Sequence, residues 1–151
     1  MLDDYLLFGL KYYAGLRTYA FNHETGVYDS RSQLSCRTTS TSMVSLIKKD
    51  IYDETTAYFV IKSNICKITV QDIEKPRVLK SYEHFSHDTV YAGHGTEFAV
   101  IDFKQVGERN MVVLSSRWIR VIEMYSQKRL FSFNDLPEPQ SYIVLSPDFD
   151  L

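Results

Sequence analysis

His84, His87 and His94 fall within eleven residues, with Asp88 among them, and imidazole with carboxylate is a donor set that suits zinc. No established ligand spacing links them, and the segment from Ser81 to Gly95 is polar, where an exposed histidine is commoner than a ligating one. Ser115 and Ser116, with Asp102 and His94, have the residue types of a hydrolase triad. A nucleophile needs a sharp exposed turn such as G-x-S-x-G, whereas this serine pair ends a β-type run just before Arg117. Neither G-x-x-x-x-G-K-[ST] nor G-x-G-x-x-G occurs, so no loop is built to cradle phosphate with backbone amides. No catalytic residue, metal ligand or cofactor is therefore assigned. Thr38-Thr39-Ser40-Thr41-Ser42 reads as a polar linker, with phosphorylation as its alternative role.

The elements that carry these residues recur. Ile119-Arg120-Val121-Ile122-Glu123-Met124 has echoes in Ile68-Thr69-Val70-Gln71-Asp72-Ile73 and in Leu16-Arg17-Thr18-Tyr19-Ala20-Phe21, whose starts lie 51 and 52 residues apart. Each copy is followed by a polar turn and a returning strand. Each is preceded by another apolar run: Tyr5–Phe8, Tyr58–Ile61 and Met111–Leu114. Met43–Ile47 and Phe98–Phe103 add a strand before the second and third units, and Tyr142–Leu145 adds one at the end. A near-constant period carried by strands points to propeller blades, small sheets that hide their faces only by stacking on neighbours.

The third unit resembles a WD repeat. Gly93-His94, Phe98 to Phe103, Leu114-Ser115-Ser116, Ile119 to Glu123 and Leu130-Phe131-Ser132-Phe133 run in that repeat's order, and Leu145-Ser146-Pro147-Asp148 is similar to the turn after a blade's first strand. The resemblance spans residues 5 to 148. Ile122-Glu123, Gln71-Asp72 and Tyr19-Ala20 replace the family's Trp-Asp pair, and Arg117 stands where its tight-turn Asp belongs. The architecture carries over; the family's internal His-Ser-Asp-Trp hydrogen-bond network does not. The expected fold is all-β, a partial β-propeller of about three four-stranded antiparallel blades in the order b-c-d, a-b-c-d, a-b-c-d, a. It forms one propeller-type domain over 1–151, with blade units at 5–32, 43–82 and 96–133 and a terminal strand at 141–146. A short helix around Val44 to Tyr52 is the weaker alternative to a strand there.

Composition is that of a globular chain: 44% hydrophobic, 24% charged, with 11 Tyr and 9 Phe favouring strands. Net charge is -2, which leaves no field to hold a polyanion, so nucleic acid is not an expected partner. Lys104, Arg109, Arg117, Arg120, Lys128 and Arg129 gather in the third unit and read as a solvated face, with a local acidic or phosphorylated partner as the alternative. No apolar run approaches the ~20 residues of a membrane span. Met1-Leu2-Asp3-Asp4 lacks the order of a secretory signal. Cys36 and Cys66 read as buried free thiols, which implies a cytoplasmic or nuclear setting.

Stacked blades leave two end faces unless the ring closes, and three blades fall short of the roughly four to eight of known propellers. A second copy, another protein's blades or a longer chain would complete it. The family resemblance implies a non-catalytic protein–protein interaction scaffold, a subunit of a larger complex. The alternative is an enzyme on a propeller scaffold using His84, His87 or His94 with a metal. The contact residues expected at one rim are Arg117 and Trp118, with Tyr12 and Tyr13 in the matching turn of the first unit and Asn64 in that of the second. Packing of Trp118 inside the protein is the competing reading.

Overall fold

Leu16, Thr18 and Ala20 are buried while Arg17 is exposed and Tyr19 and Phe21 are half-buried, the period-two pattern of a strand with one covered face. That strand is β2 (Gly15–Asn22), flanked by β1 (Tyr5–Gly9) and β3 (Val27–Arg37) in an antiparallel sheet. Leu16 stands opposite Gly9 and Leu34, and a bulge between Thr18 and Tyr19 bends the β2–β3 pairing. The computed structural model describes residues 2, 4–10, 15–37, 43–61, 64–76, 79–82, 100–115, 118–126, 128–133, 136 and 142–146.

The second sheet contains β4 (Val44–Lys49), β5 (Thr56–Ile61), β6 (Asn64–Thr69) and β7 (Leu79–Tyr82), in the order β7-β6-β5-β4. Two parallel residue pairs between β3 and β7, Cys36 with Leu79 and Arg37 with Lys80, join it to the first. The third sheet is a four-strand meander of β8 (Val100–Val106), β9 (Asn110–Ser115), β10 (Ile119–Glu123) and β11 (Arg129–Phe133). The chain forms two compact units, 1–81 with the first two sheets and 82–151 with the third.

In the first unit, the two sheets bury their facing sides on each other. Leu16 and Leu34 from the first meet Ala57, Phe59, Ile61, Cys66 and Ile68 from the second, and Leu2 and Ile73 close the cluster. Burying each large aliphatic or aromatic side chain here contributes about 1.5–3 kcal/mol. At the edge of this contact β1 passes so near β4 that a Cβ on Gly9 would lie 2.7 Å from the Val44 Cβ. All six residues of β5 are buried, so this strand is covered on both faces. Residues of β9 from Met111 to Ser115 are likewise buried.

The expected triplet and two quartets of strands are present, and Val44–Lys49 is a strand rather than the start of a helix. Three details differ. The run through Ile68 to Ile73 is split, because β6 stops at Thr69 and Val70–Glu74 forms a short helix, α1. Thr69 N–H donates to Asp72 Oδ2 at 2.9 Å and Asp72 N–H donates to the Thr69 hydroxyl at 3.3 Å, a capping box that starts a helix where hydrophobicity alone continues a strand. No strand forms over residues 142–146; Ile143 N–H donates 2.9 Å to Asp102 Oδ2 instead of to a sheet edge. Finally, Cys66 is disulfide-bonded and no described cysteine is a free thiol, so nothing about compartment follows from thiols. Its apolar neighbours are those of a buried thiol, and a covalent partner is set by approach in space, which spacing along the chain does not reveal. Among the described residues no helix is long and apolar enough to cross a membrane.

A Cβ at Gly15 would lie 2.1 Å from the Leu34 carbonyl oxygen, which is backbone and cannot swing away. Gly15→Ala should therefore lower stability by roughly 1–3 kcal/mol, read as a lower urea midpoint. An unchanged midpoint would show that the β2–β3 pair yields at no cost.

Candidate protein-contact surface

Register places three turns of the first unit at one end. The β2–β3 turn over residues 23–26, the β4–β5 turn over residues 50–55 and helix α1 lie together there, since Tyr5 pairs with Ala20 beside the first turn and Thr56 pairs with Thr69 beside the other two. The Tyr5 hydroxyl reaches Glu74 Oε1 at 3.4 Å, and Val70 N–H donates to the Thr55 carbonyl at 2.9 Å.

The β4–β5 turn is held rigid by two carboxylates. Asp50 Oδ1 accepts from the N–H groups of Tyr52 and Asp53 at 2.8 and 2.9 Å, while its Oδ2 accepts the Tyr58 hydroxyl at 2.9 Å. Asp53 Oδ1 accepts from Thr55 N–H and its hydroxyl, and Oδ2 accepts the Thr56 hydroxyl at 2.7 Å. The Thr55 and Thr56 hydroxyls, with Thr55 N–H, hold the Asp53 carboxyl below its ordinary range against a small opposing effect of burial. This scaffold presents Ile51 and Tyr52, 66% and 52% exposed, on a turn whose backbone is already ordered. The exposed acidic residues of these turns and α1 are Glu24, Asp53, Glu54 and Glu74, and the exposed cations beside them in the chain are Lys49, before the β4–β5 turn, and Lys75, just past α1.

The third sheet has a counterpart at its β8–β9 and β10–β11 turns. Arg109 Nε lies 3.1 Å from Glu123 Oε1, its guanidinium sits 5.4 Å from the Tyr125 ring centre, and Met124 N–H donates to the Arg109 carbonyl at 2.7 Å. Hydrogen bonds from the Ser126 hydroxyl and N–H, helped by Arg109 and by Tyr125 N–H, pull the Glu123 carboxyl from 4.5 to about 2. Tyr125 is 71% exposed beside this pair.

The residues expected to bind are distributed otherwise. Trp118 is only 3% exposed, so it is no solvent-facing anchor; its backbone N–H donates to the Ser115 hydroxyl at 3.2 Å, closing the β9–β10 turn. The Arg120 guanidinium lies 4.2 Å from the Trp118 ring centre, and Arg120 is itself buried at 1%, whereas Lys104, Arg109, Lys128 and Arg129 are each exposed. Spacing of two along a strand puts Trp118 and Arg120 on one face, a signal that could have paired them from sequence. Asn64 opens β6 opposite Ile61 and is buried at 8%. Tyr12, Tyr13, Arg117, His84, His87, His94 and the 38–42 hydroxyl run lie outside the described residues. Among the described residues no three His, Cys, Asp or Glu side chains gather as metal ligands. Ile51 and Tyr52 escaped sequence reading because the run beside them reads as strand; the Asp50 and Asp53 spacing was the available turn signal.

Among solved structures the chain is similar to the C-terminal WD40 domain of Sif2, known from its crystal structure, with a TM-score of 0.60 and 10% identity. The match covers 87% of this chain and 34% of that one, so this chain spans about a third of that domain. No protein family and no curated protein matches the sequence. The likeness is one of fold: the three antiparallel sheets are those of part of a WD40-type β-propeller.

Two outcomes follow. Because the Glu123 carboxyl is depressed in the folded state, its stabilising effect is full above about 4.5 and is lost as pH falls through about 2. NMR titration of Glu123 should give a midpoint near that lower value, and Glu123→Gln should flatten the stability change over the same window. Trp118→Ala should cost about 3–5 kcal/mol, because it removes a buried ring and uncovers a buried guanidinium, and the melting temperature should fall accordingly.

Proposed function

We propose that this chain is a non-catalytic protein-interaction scaffold and a subunit of a larger assembly, receiving a partner on the rim built from the β2–β3 turn, the β4–β5 turn and α1. The observation that carries this reading is the Ile51–Tyr52 pair, an aliphatic and an aromatic side chain held out to solvent by a turn that Asp50 and Asp53 have already ordered. An interface gains most from large side chains whose ordering cost has been met before contact. The surrounding Glu24, Asp53, Glu54 and Glu74 favour a partner segment that offers apolar side chains flanked by lysine or arginine. The WD40-type fold supports the reading, since stacked sheets leave their turns as the surface that varies.

The test is quantitative affinity capture from cells of the source organism, comparing the wild-type chain with a variant carrying Ile51→Ser and Tyr52→Ser. A defined set of proteins should be lost from the variant, retained by Val144→Ser, a change at an exposed apolar residue of the other unit, and weakened by raised salt. Identical captures from wild type and the rim variant, both still β-rich by circular dichroism, would remove this rim from the function.

A further inference from the structure

The first sheet has two faces of different character. Leu16, Thr18, Ala20 and Leu34 share the face that packs on the second sheet. Register puts Leu6, Phe8, Arg17, Tyr19, Phe21 and Tyr28 on the opposite face. Rings there meet edge to face: Phe8 and Tyr19 at 5.6 Å, Phe21 and Tyr28 at 5.1 Å, Phe21 and His23 at 5.0 Å. Phe8 is 53% and Tyr28 38% exposed, Arg17 is exposed, and Leu6, Tyr19 and Phe21 are half-buried. A sheet face meant for water is ordinarily polar; here β3 supplies exposed Ser30 and Gln33 as well as Tyr28, while β1 and β2 supply the rest of the aromatic part. In β5, by contrast, both faces are buried.

We infer that this face is the contact between two copies of the chain, related by a two-fold axis that lies between the sheets and runs across the strands. Charge placement selects that arrangement. Arg17 stands at one end of the face, and Asp4, 2.8 Å from His23 Nε2 and bonded through its carbonyl to Phe21 N–H, stands at the other. Phe21 lies four positions along the strand from Arg17, about 13 Å. The two-fold reverses strand direction, so it sets the Arg17 end of one copy over the ring and carboxylate end of the other, twice by symmetry, with Tyr19 near the axis. Stacking in the same direction would set Arg17 against Arg17, which like-charge repulsion disfavours.

The size of the face determines how tight the pair is. Three strands by the eight residues of β2 cover roughly 14 by 26 Å, so two copies remove about 700 Å² of plan area, against the ~1,200 Å² at which specific stable interfaces begin. The pair is reversible: it forms at micromolar concentrations and above and comes apart on dilution.

Sedimentation equilibrium of the purified chain, from low micromolar to several hundred micromolar, tests this. The 17.6 kDa chain should rise toward twice its mass with a single monomer–dimer equilibrium, weakening as salt is raised. Arg17→Glu should raise the dissociation constant about tenfold. Phe8→Lys, at a position already half exposed, should keep the chain monomeric throughout with unchanged circular dichroism. Tyr52→Ser should pair like wild type, which separates this contact from the rim proposed above. A wild-type monomer at every concentration would overturn the inference, as would growth to species beyond the dimer. So would pairing that survives both Arg17→Glu and Phe8→Lys but is lost in Leu130→Ser, which would move the contact to β11.

Discussion

Everything in the first unit depends on one contact, the apolar packing of two small sheets on each other. A three-stranded sheet cannot bury its own faces, and β2 shows the consequence along its length: Leu16, Thr18 and Ala20 are covered where the second sheet lies, while Arg17, Tyr19 and Phe21 are left wholly or partly open. The second sheet has no open central strand, because each residue of β5 is buried. Phe59, Ile61 and Ile68 thus hold the sheet pair together, and turns rather than sheet faces are left to vary.

The turns are stiffened by short polar side chains that bond to nearby backbone. Asp50 and Asp53 order the β4–β5 turn, Asn22 Oδ1 accepts from Glu24 and Thr25 N–H in the β2–β3 turn, and Glu123 with Ser126 orders the β10–β11 turn. Each replaces solvent hydrogen bonds with internal ones where the chain reverses, so exposed side chains such as Tyr52 and Tyr125 stand on ordered backbone. A contact surface of this kind needs no cleft. The side chains are aimed by the turn beneath them.

Much of this was legible in the residues. The period near 51 predicted three repeated units, and the β-branched and aromatic runs predicted ten of the strands within a few residues of where they lie, because strand alternation is a local pattern. Boundaries failed where a local polar bond outweighed hydrophobicity: Thr69 with Asp72 turned a strand into a helix, and Ile143 bonded to Asp102 rather than to a neighbouring strand. The contact residues were harder. Trp118 looks like an anchor when only its type and turn position are known, and Arg120 looks like a solvated cation; stacked on each other they are interior residues.

The sequence by itself determined the all-β character, the repeat, and which positions alternate inward and outward, since these follow from side-chain type read along a chain of period two. Only the tertiary structure decided which alternating face is covered, which charges are buried, and that Cys66 is paired, because each depends on what approaches across space from a distant stretch of chain. Leu16 and Tyr19 are both apolar residues of one strand; the second sheet covers the first and leaves the second partly open.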